Sequence, residues 1–400
     1  MLDSPPGRIR SVRMEVDWML AIMHNARRAI LGAAVIAGVT MATALGGGAA
    51  YAREEIEPTQ QALADYISAG LTPAPDGRQP RAIVDAGSSS GWATSVASDA
   101  SGEGPEMSAY LAAFAYGLTH PDSAPSGANR WNCAPTAEHP RPVVLLHGTW
   151  LNAYDTFSSL SPRLARAGFC VFAFNFGRSG LMQGGGLGPV LPGRFGVGPM
   201  EDSAAQLRDF IDRVLAATGA QAVDIVGHSQ GGTVANHYLK FEGGQGKVGK
   251  LVSLGATHHG TSLMGIATLG RIINNLGVNI LGFYEPLVGI ANIQQAAGSP
   301  FYTSLNAQGD TVPGVAYTAI GSRHDEITNP YQWTFLQAGP DATVDNVTLQ
   351  DGCEQDMSDH LTMMYSPRAA SIVLRALDPV AHPALECTFN PWMIGGNGSL

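Results

Sequence analysis

From Arg141 onward, short unbroken apolar runs alternate with longer helix-compatible stretches. Val143-Val144-Leu145-Leu146, Cys170-Val171-Phe172-Ala173-Phe174 and Ala222-Val223-Asp224-Ile225-Val226 are continuous rather than alternating, the pattern of strands buried on both faces of a parallel sheet. Between and after them, Phe157 to Arg166, Ser203 to Thr218 and Thr233 to Phe241 predict helices. Further strands are expected at Val248 to Leu254, Val315 to Ile320 and Val344 to Leu349. Strand and helix in alternation give an α/β class with a mostly parallel, doubly wound sheet. No internal repeat is visible.

The chain before this region reads differently. Ala29 to Leu45 is an apolar run preceded by Arg27-Arg28 and followed by small residues ending in Ala50-Tyr51-Ala52. That order predicts a secretory signal over residues 1–52 with cleavage after Ala52. A retained membrane anchor is the bland alternative, but Gly32, Gly38 and Gly46-Gly47-Gly48 interrupt the run and no charged stop-transfer flank follows closely. The paired arginines also fit twin-arginine export, a weak signal on its own. Residues 53–132 are rich in Ala, Gly, Ser, Pro and Asp, with helical patches at Gln60 to Ala69 and Met107 to Leu118. The Gly/Ser-rich stretch Gly87 to Gly104 has the composition of a flexible linker. An N-terminal extension packed loosely on a main domain of residues 133–400 is expected.

Composition narrows the function. The 400 residues are 45% hydrophobic, enough for one large core. Lysines and arginines number 23 against 33 acidic residues, a formal balance of −10. Loss of residues 1–52 would remove five arginines and three acidic residues and move the balance to about −12. With no basic cluster interleaved with aromatics, nucleic-acid binding has no electrostatic footprint. Four cysteines, Cys133, Cys170, Cys353 and Cys387, all follow the expected signal and allow three pairings. Cys133 precedes the first core strand and Cys170 starts another, whereas Cys353 and Cys387 bracket the C-terminal segment, so these two pairs are favoured over free buried thiols, and zinc spacing is absent.

Two segments invite a label. Gly177 to Gly198 contains Gly184-Gly185-Gly186 but lacks the spacing of a phosphate-binding loop, so a mobile loop beside the substrate mouth is the better expectation. Leu263 to Ile293, apolar and partly amphipathic, is expected to form a cap or lid inserted between two strands, with an ordinary core helix as the even alternative.

The chemistry centres on Gly227-His228-Ser229-Gln230-Gly231, a G-x-S-x-G placed where a strand turns into a helix. Glycines flank the serine because side chains there would clash with the adjoining strand and helix. Serine needs an imidazole to take its proton and a carboxylate to fix that imidazole, in the chain order Ser, acid, His on this fold. His237 lies within the following helix, and His258-His259 come before any suitable acid. His324 also follows the serine, and His382 sits in a Pro-flanked stretch that reads as a solvated loop. His360, after the expected strand Val344 to Leu349, occupies the position of the base. Asp325 follows the strand Val315 to Ile320, at the end where parallel sheets build their sites. Its neighbour Glu326 competes, but its side chain is expected to face away. Asp310 lies at the wrong end of that strand, and Asp345, Asp351, Asp356 and Asp359 read as solvated loop carboxylates. For the oxyanion, the N–H of Gln230 is one donor, and Thr149 in His147-Gly148-Thr149 offers N–H and hydroxyl as the second. His147 is read as structural.

Val143 to Thr149, Gly227 to Gly232 and Gly321 to Pro330, together with Gly298-Ser299-Pro300-Phe301 and Gly309 to Gly314, resemble the secreted class 2 lipases of actinobacteria and, more distantly, the fungal lipase B type. The resemblance runs from about Cys133 to Pro379. It implies an α/β-hydrolase fold with Ser229 as nucleophile, Asp325 as acid and His360 as base, Thr149 and Gln230 as oxyanion donors, and the same cysteine pairs. It further implies a secreted monomer without metal or organic cofactor, acting on lipid or ester substrates at an oil–water interface. A short-chain carboxylesterase, acyltransferase or polyester hydrolase would use the same triad, and a non-catalytic binding protein on the same fold is the reading from another class.

Overall fold

The computed structural model describes residues 93–186, 192–261 and 289–396. The expected signal, the helical patch at Gln60 to Ala69 and all but the last five residues of the expected cap lie outside the described residues. In chain order the elements are β1 (Val96–Asp99), α1 (Tyr110–Thr119), β2 (Val143–Leu146), α2 (Ala153–Phe157), α3 (Leu160–Arg166), β3 (Val171–Arg178), α4 (Met200–Thr218), β4 (Val223–His228), α5 (Gln230–Phe241), β5 (Val248–Leu254), α6 (Ile290–Gln294), α7 (Pro300–Leu305), β6 (Ala316–Gly321), β7 (Thr343–Thr348) and α8 (Pro367–Leu377).

The seven strands form one sheet in the order β1-β3-β2-β4-β5-β6-β7. All neighbours from β3 across to β7 run parallel, and β1 lies antiparallel on the edge of β3. The chain steps from β2 outward to β3, then returns to β4 on the other side of β2. Successive connections therefore leave β2 and β4 in opposite directions, and a crevice opens outside their carboxyl ends, where parallel sheets hold their ligands.

Unbroken apolar runs are required in the central strands because each of them feeds two cores. On β2, Val143 and Leu145 join the cluster that includes Tyr154, Phe157, Leu160 and the buried face of α8, while Val144 and Leu146 join the cluster of Met200, Leu207, Ile211 and Val234. β3 divides likewise, with Val171 and Ala173 on one side and Phe172, Phe174 and Phe176 on the other. Side chains alternate across a strand, so two buried faces demand apolar residues at nearly every position.

Three expectations change. The helix expected over Phe157 to Arg166 is two helices. α2 starts earlier, at the reciprocal Asn152–Asp155 capping box. Pro162 has no N–H to donate and fits only the first turn of a helix, so α3 begins just ahead of it. Residues 93–132 are not loosely packed. β1 pairs with β3, Tyr110 and Ala113 are buried in the core, and the Asn129 side chain bonds to the main chain of Ala100 and Ala173. Part of the stretch expected as a linker is thus an edge strand. The described ends of Gly177 to Gly198 are also fastened: Gly196 and Val197 donate to Phe176 and Gly177, and the guanidinium of buried Arg194 lies 3.1 Å from the Asp155 carboxylate.

Disulfides join Cys133 to Cys170 and Cys353 to Cys387. Among the described residues no helix is long and apolar enough to cross a membrane.

Candidate active site

β4 ends at His228, and the next residue, Ser229, takes φ 53° and ψ −125° before α5 begins. Residues with a side chain rarely adopt this backbone, which survives only where the surroundings over-determine it. They do so here through missing side chains. A Cβ on Gly231 would lie 2.3 Å from the carbonyl oxygen of Leu146 and 2.7 Å from that of His147. One on Gly227 would lie 2.6 Å from the nitrogen of Gly232, and one on Gly232 would lie 2.6 Å from Ala256 Cβ. Across the crevice, a Cβ on Gly148 would lie 3.0 Å from Ser229 Cβ. The Ser229 N–H donates to Leu254 of β5 at 2.9 Å, which fastens the turn to the sheet.

The acid and the base come from the loops after β6 and β7. His360 Nε2 lies 2.9 Å from Ser229 Oγ, and His360 Nδ1 lies 2.9 and 3.0 Å from the two oxygens of Asp325. A carboxylate only accepts, so Nδ1 carries the ring proton and Nε2 is left to accept from the serine hydroxyl. Asp325 is itself held, its Oδ1 accepting from the N–H groups of Ile327 and Thr328 at 2.9 and 2.7 Å. Ser229 and His360 are 4% and 3% exposed, so proton transfer between them is shielded from bulk water. Burial of the His360 ring opposes its protonation. The adjacent Asp325 carboxylate, with help from Glu326 and Asp359, outweighs burial and raises its pKa above the ordinary value.

Two further donors border the elbow, one beside Ser229 in the chain and one beside Gly148, which packs against Ser229. Gln230 is the first residue of α5 and Thr149 follows the end of β2; neither N–H has an acceptor among the described residues. An unpaired N–H at a helix start is a ready site for negative charge. The Thr149 hydroxyl accepts from the side chain of Gln295 at 2.7 Å.

His147, His237, His258 and His259 are employed elsewhere. His147 Nε2 accepts from the Phe176 N–H at 3.1 Å, so its Nδ1–H donates to the Gly148 carbonyl at 2.8 Å. Burial, only partly offset by that bond, pushes its pKa down to about 3 and keeps it neutral. His258 pairs with Ser253, His259 with Asp310 and the Trp333 carbonyl, and His237 stacks on Phe301. Among the described residues, His360 is the imidazole that meets Ser229.

Three carboxylates depart from expectation. Glu326 does not face away: the chain turns tightly after Asp325, and while Asp325 meets the ring of His360, Glu326 Oε2 accepts from its main-chain N–H at 3.3 Å. Burial and then the Asp359 charge raise the pKa of Glu326. Asp356 and Asp359 are buried rather than solvated. Asp359 accepts from the N–H groups of Leu361, Thr362 and Met393 and from the Thr362 hydroxyl, and Asp356 accepts from Ser358 and Ser366. Both therefore shape the loop that carries His360. Sequence reasoning also missed His228, whose Nε2 donates to the His360 carbonyl at 2.8 Å. It occupies a free position of the elbow motif, where nothing in the pattern assigns it a partner.

Residues 141–277 match the family model described as alpha/beta hydrolase fold, in keeping with the sheet order and the strand-to-helix elbow. The chain has the α/β-hydrolase fold. Solved structures it is similar to include lipase B of Aspergillus fumigatus, at 19% identity and a TM-score of 0.47, covering 61% of this chain and 55% of that one. This chain thus spans little more than half the length of the Aspergillus protein. A Bacillus licheniformis lipase in mature form matches at 16% identity and a TM-score of 0.41, covering 61% of this chain and 94% of that one. A Bacillus subtilis carboxylesterase matches at 14% and 0.35, covering 62% and 86%.

Proposed function

We propose that the protein hydrolyses carboxylic esters through an acyl-enzyme on Ser229, with triacylglycerols as its substrates. The observation that carries this reading is the buried run of short contacts from Ser229 Oγ through His360 to Asp325. His360 Nε2 takes the hydroxyl proton as Ser229 Oγ attacks the ester carbonyl, and Asp325 stabilises the imidazolium that forms. The oxyanion meets the N–H groups of Gln230 and Thr149 and the Thr149 hydroxyl, each such donor contributing about 3 to 4 kcal/mol at the transition state. His360 then returns the proton to the departing alcohol. Water, activated by the same imidazole, releases the acid and restores Ser229.

Two disulfides suit an oxidising compartment and support a secreted protein. The substrate class is tested by turnover on p-nitrophenyl esters of increasing chain length and on emulsified triacylglycerol. Long-chain and emulsion activity is expected. Activity confined to soluble short-chain esters would leave an esterase and remove the lipase. Ser229→Ala and His360→Ala are each expected to lower turnover by about 10⁴-fold or more with the fold intact by circular dichroism. Turnover that survived His360→Ala would move the base elsewhere.

A further inference from the structure

We propose that Gln295 is a positioning residue that aims the Thr149 hydroxyl at the oxyanion. The inference rests on the reading of Ser229 as an acyl-transfer nucleophile.

Gln295 follows α6 directly and is buried. Its side-chain amide has two faces whose chemistry is fixed by its partners. Nε2 lies 3.3 Å from the main-chain carbonyl of Ala291, which can only accept, so the nitrogen must be on that side. The second hydrogen of the same nitrogen goes to Thr149 Oγ at 2.7 Å. Oε1 on the other side accepts from the Thr257 hydroxyl at 3.1 Å, and Thr257 is in turn 3.0 Å from the hydroxyl of Thr233 on α5. The orientation of the amide is therefore set from both ends.

The consequence falls on Thr149. A hydroxyl has one hydrogen to give, and Gln295 occupies a lone pair of Thr149 Oγ as a donor, so the Thr149 hydrogen is not spent on Gln295. Among the described residues that hydrogen has no acceptor. Gly148, the preceding residue, packs against Ser229, which puts the loop beside the nucleophile. The hydroxyl hydrogen is thus held ready for charge developing on a carbonyl oxygen bound at Ser229, with no reorganisation at the moment of reaction.

Gln295 also anchors its own main chain. Its carbonyl accepts from the Thr261 N–H at 2.9 Å, and the Ala297 N–H donates to the Thr261 carbonyl at 3.1 Å. These bonds join the last described residue before position 262 to the first turns after position 288, so the Thr149 tether is rooted at a stapled crossing of two chain segments.

Gln295→Glu tests the inference at nearly constant volume, because a carboxylate accepts from Thr149 and draws its hydrogen away from the oxyanion. Expected is a fall in kcat of about a hundredfold on a p-nitrophenyl ester with KM changed less than about threefold, matching Thr149→Val. Thr149→Ser, which keeps the hydroxyl, should retain activity within about fivefold. Gln295→Glu in the Thr149→Val background should cost nothing further. If Gln295→Glu does not fold, as judged by circular dichroism, Gln295→Met carries the same comparison, with a loss of kcat of about tenfold that again vanishes in the Thr149→Val background. Unchanged kcat, a loss confined to KM, or losses that add to Thr149→Val would overturn the role of Gln295. Turnover that does not depend on Ser229 would instead overturn the reading beneath it.

Discussion

Around Ser229 the chain is held by backbone packed on backbone, whereas around Asp325 and His360 it is held by carboxylates bonded to main-chain N–H groups. In the first region a single added methyl at Gly231 would meet two carbonyl oxygens. In the second, Asp325, Asp356 and Asp359 each accept from the loop they organise. The difference follows from the parts. The nucleophile sits at the junction of strand and helix, where regular elements fix the backbone and only sterics remain to be met. The acid and base sit on irregular loops whose N–H groups find no sheet partner, so buried carboxylates supply the acceptors. One region should therefore fail by steric damage and the other should respond to charge and cross-linking.

The largest effect is expected from Gly231→Ala. Backbone oxygens cannot move aside as a side chain would, so the variant should lose about 3 kcal/mol or more of stability and at least a hundredfold in turnover, read by urea unfolding and ester hydrolysis. Gly243→Ala is the control, since nothing lies within 4 Å of the added carbon and the positive φ of +76°, which Gly231 does not share, is its one penalty. It should cost only about 1 kcal/mol of backbone strain and leave turnover unchanged. Equal damage from both would mean that the elbow is not tight.

Next in its effect on turnover is the Cys353–Cys387 bond, which closes a loop of sequence separation 34 that carries His360. Replacing both cysteines by serine should cost about 4 kcal/mol by the loop-entropy argument and lower turnover on warming before the sheet melts. Simultaneous loss of turnover and far-ultraviolet signal would show that the loop and the sheet unfold as one.

How far the sequence foretold this comparison differs between the two regions. The elbow is legible because steric demands are written as glycines at fixed spacing, and the central strands are legible because two buried faces leave few polar positions, Asp224 on β4 being paired with Arg141. β1 escaped notice because Val-Ala-Ser-Asp on a sheet edge has no apolar run, with Val96 itself 60% exposed. The burial of Asp356 and Asp359 was not legible, since a carboxylate satisfied by main-chain N–H groups is written with the same letters as one in water. Gln295 was out of reach for another reason. Its role depends on meeting a residue 146 positions away, through an amide whose orientation only its neighbours determine.

The smallest effect concerns charge. Glu326 contributes to the raised pKa of His360, so Glu326→Gln should move the acid limb of kcat/KM to lower pH, by less than about one unit. The sign is clear because the base works only when neutral, and removal of a nearby negative charge makes the imidazolium less favourable. The same substitution bears on stability. The carboxyl of Glu326 is held above its ordinary pKa first by burial and then by Asp359, so the folded state binds its proton more tightly than the unfolded chain. Its ionisation costs stability as pH rises from about 4.5 to about 7, and Glu326→Gln should raise the melting temperature more at pH 8 than at pH 4. An acid limb that stayed in place would leave Glu326 with a structural role alone.

The central claim is that Ser229 is a nucleophile activated by His360. A fluorophosphonate reacts with such a serine, and the position of the adduct is read by peptide mass spectrometry. One adduct on Ser229 is expected in the native protein, and its rate of formation should fall by about a thousandfold or more in His360→Ala. An unlabelled native protein, an adduct on another serine, or labelling at an undiminished rate without His360 would contradict the account.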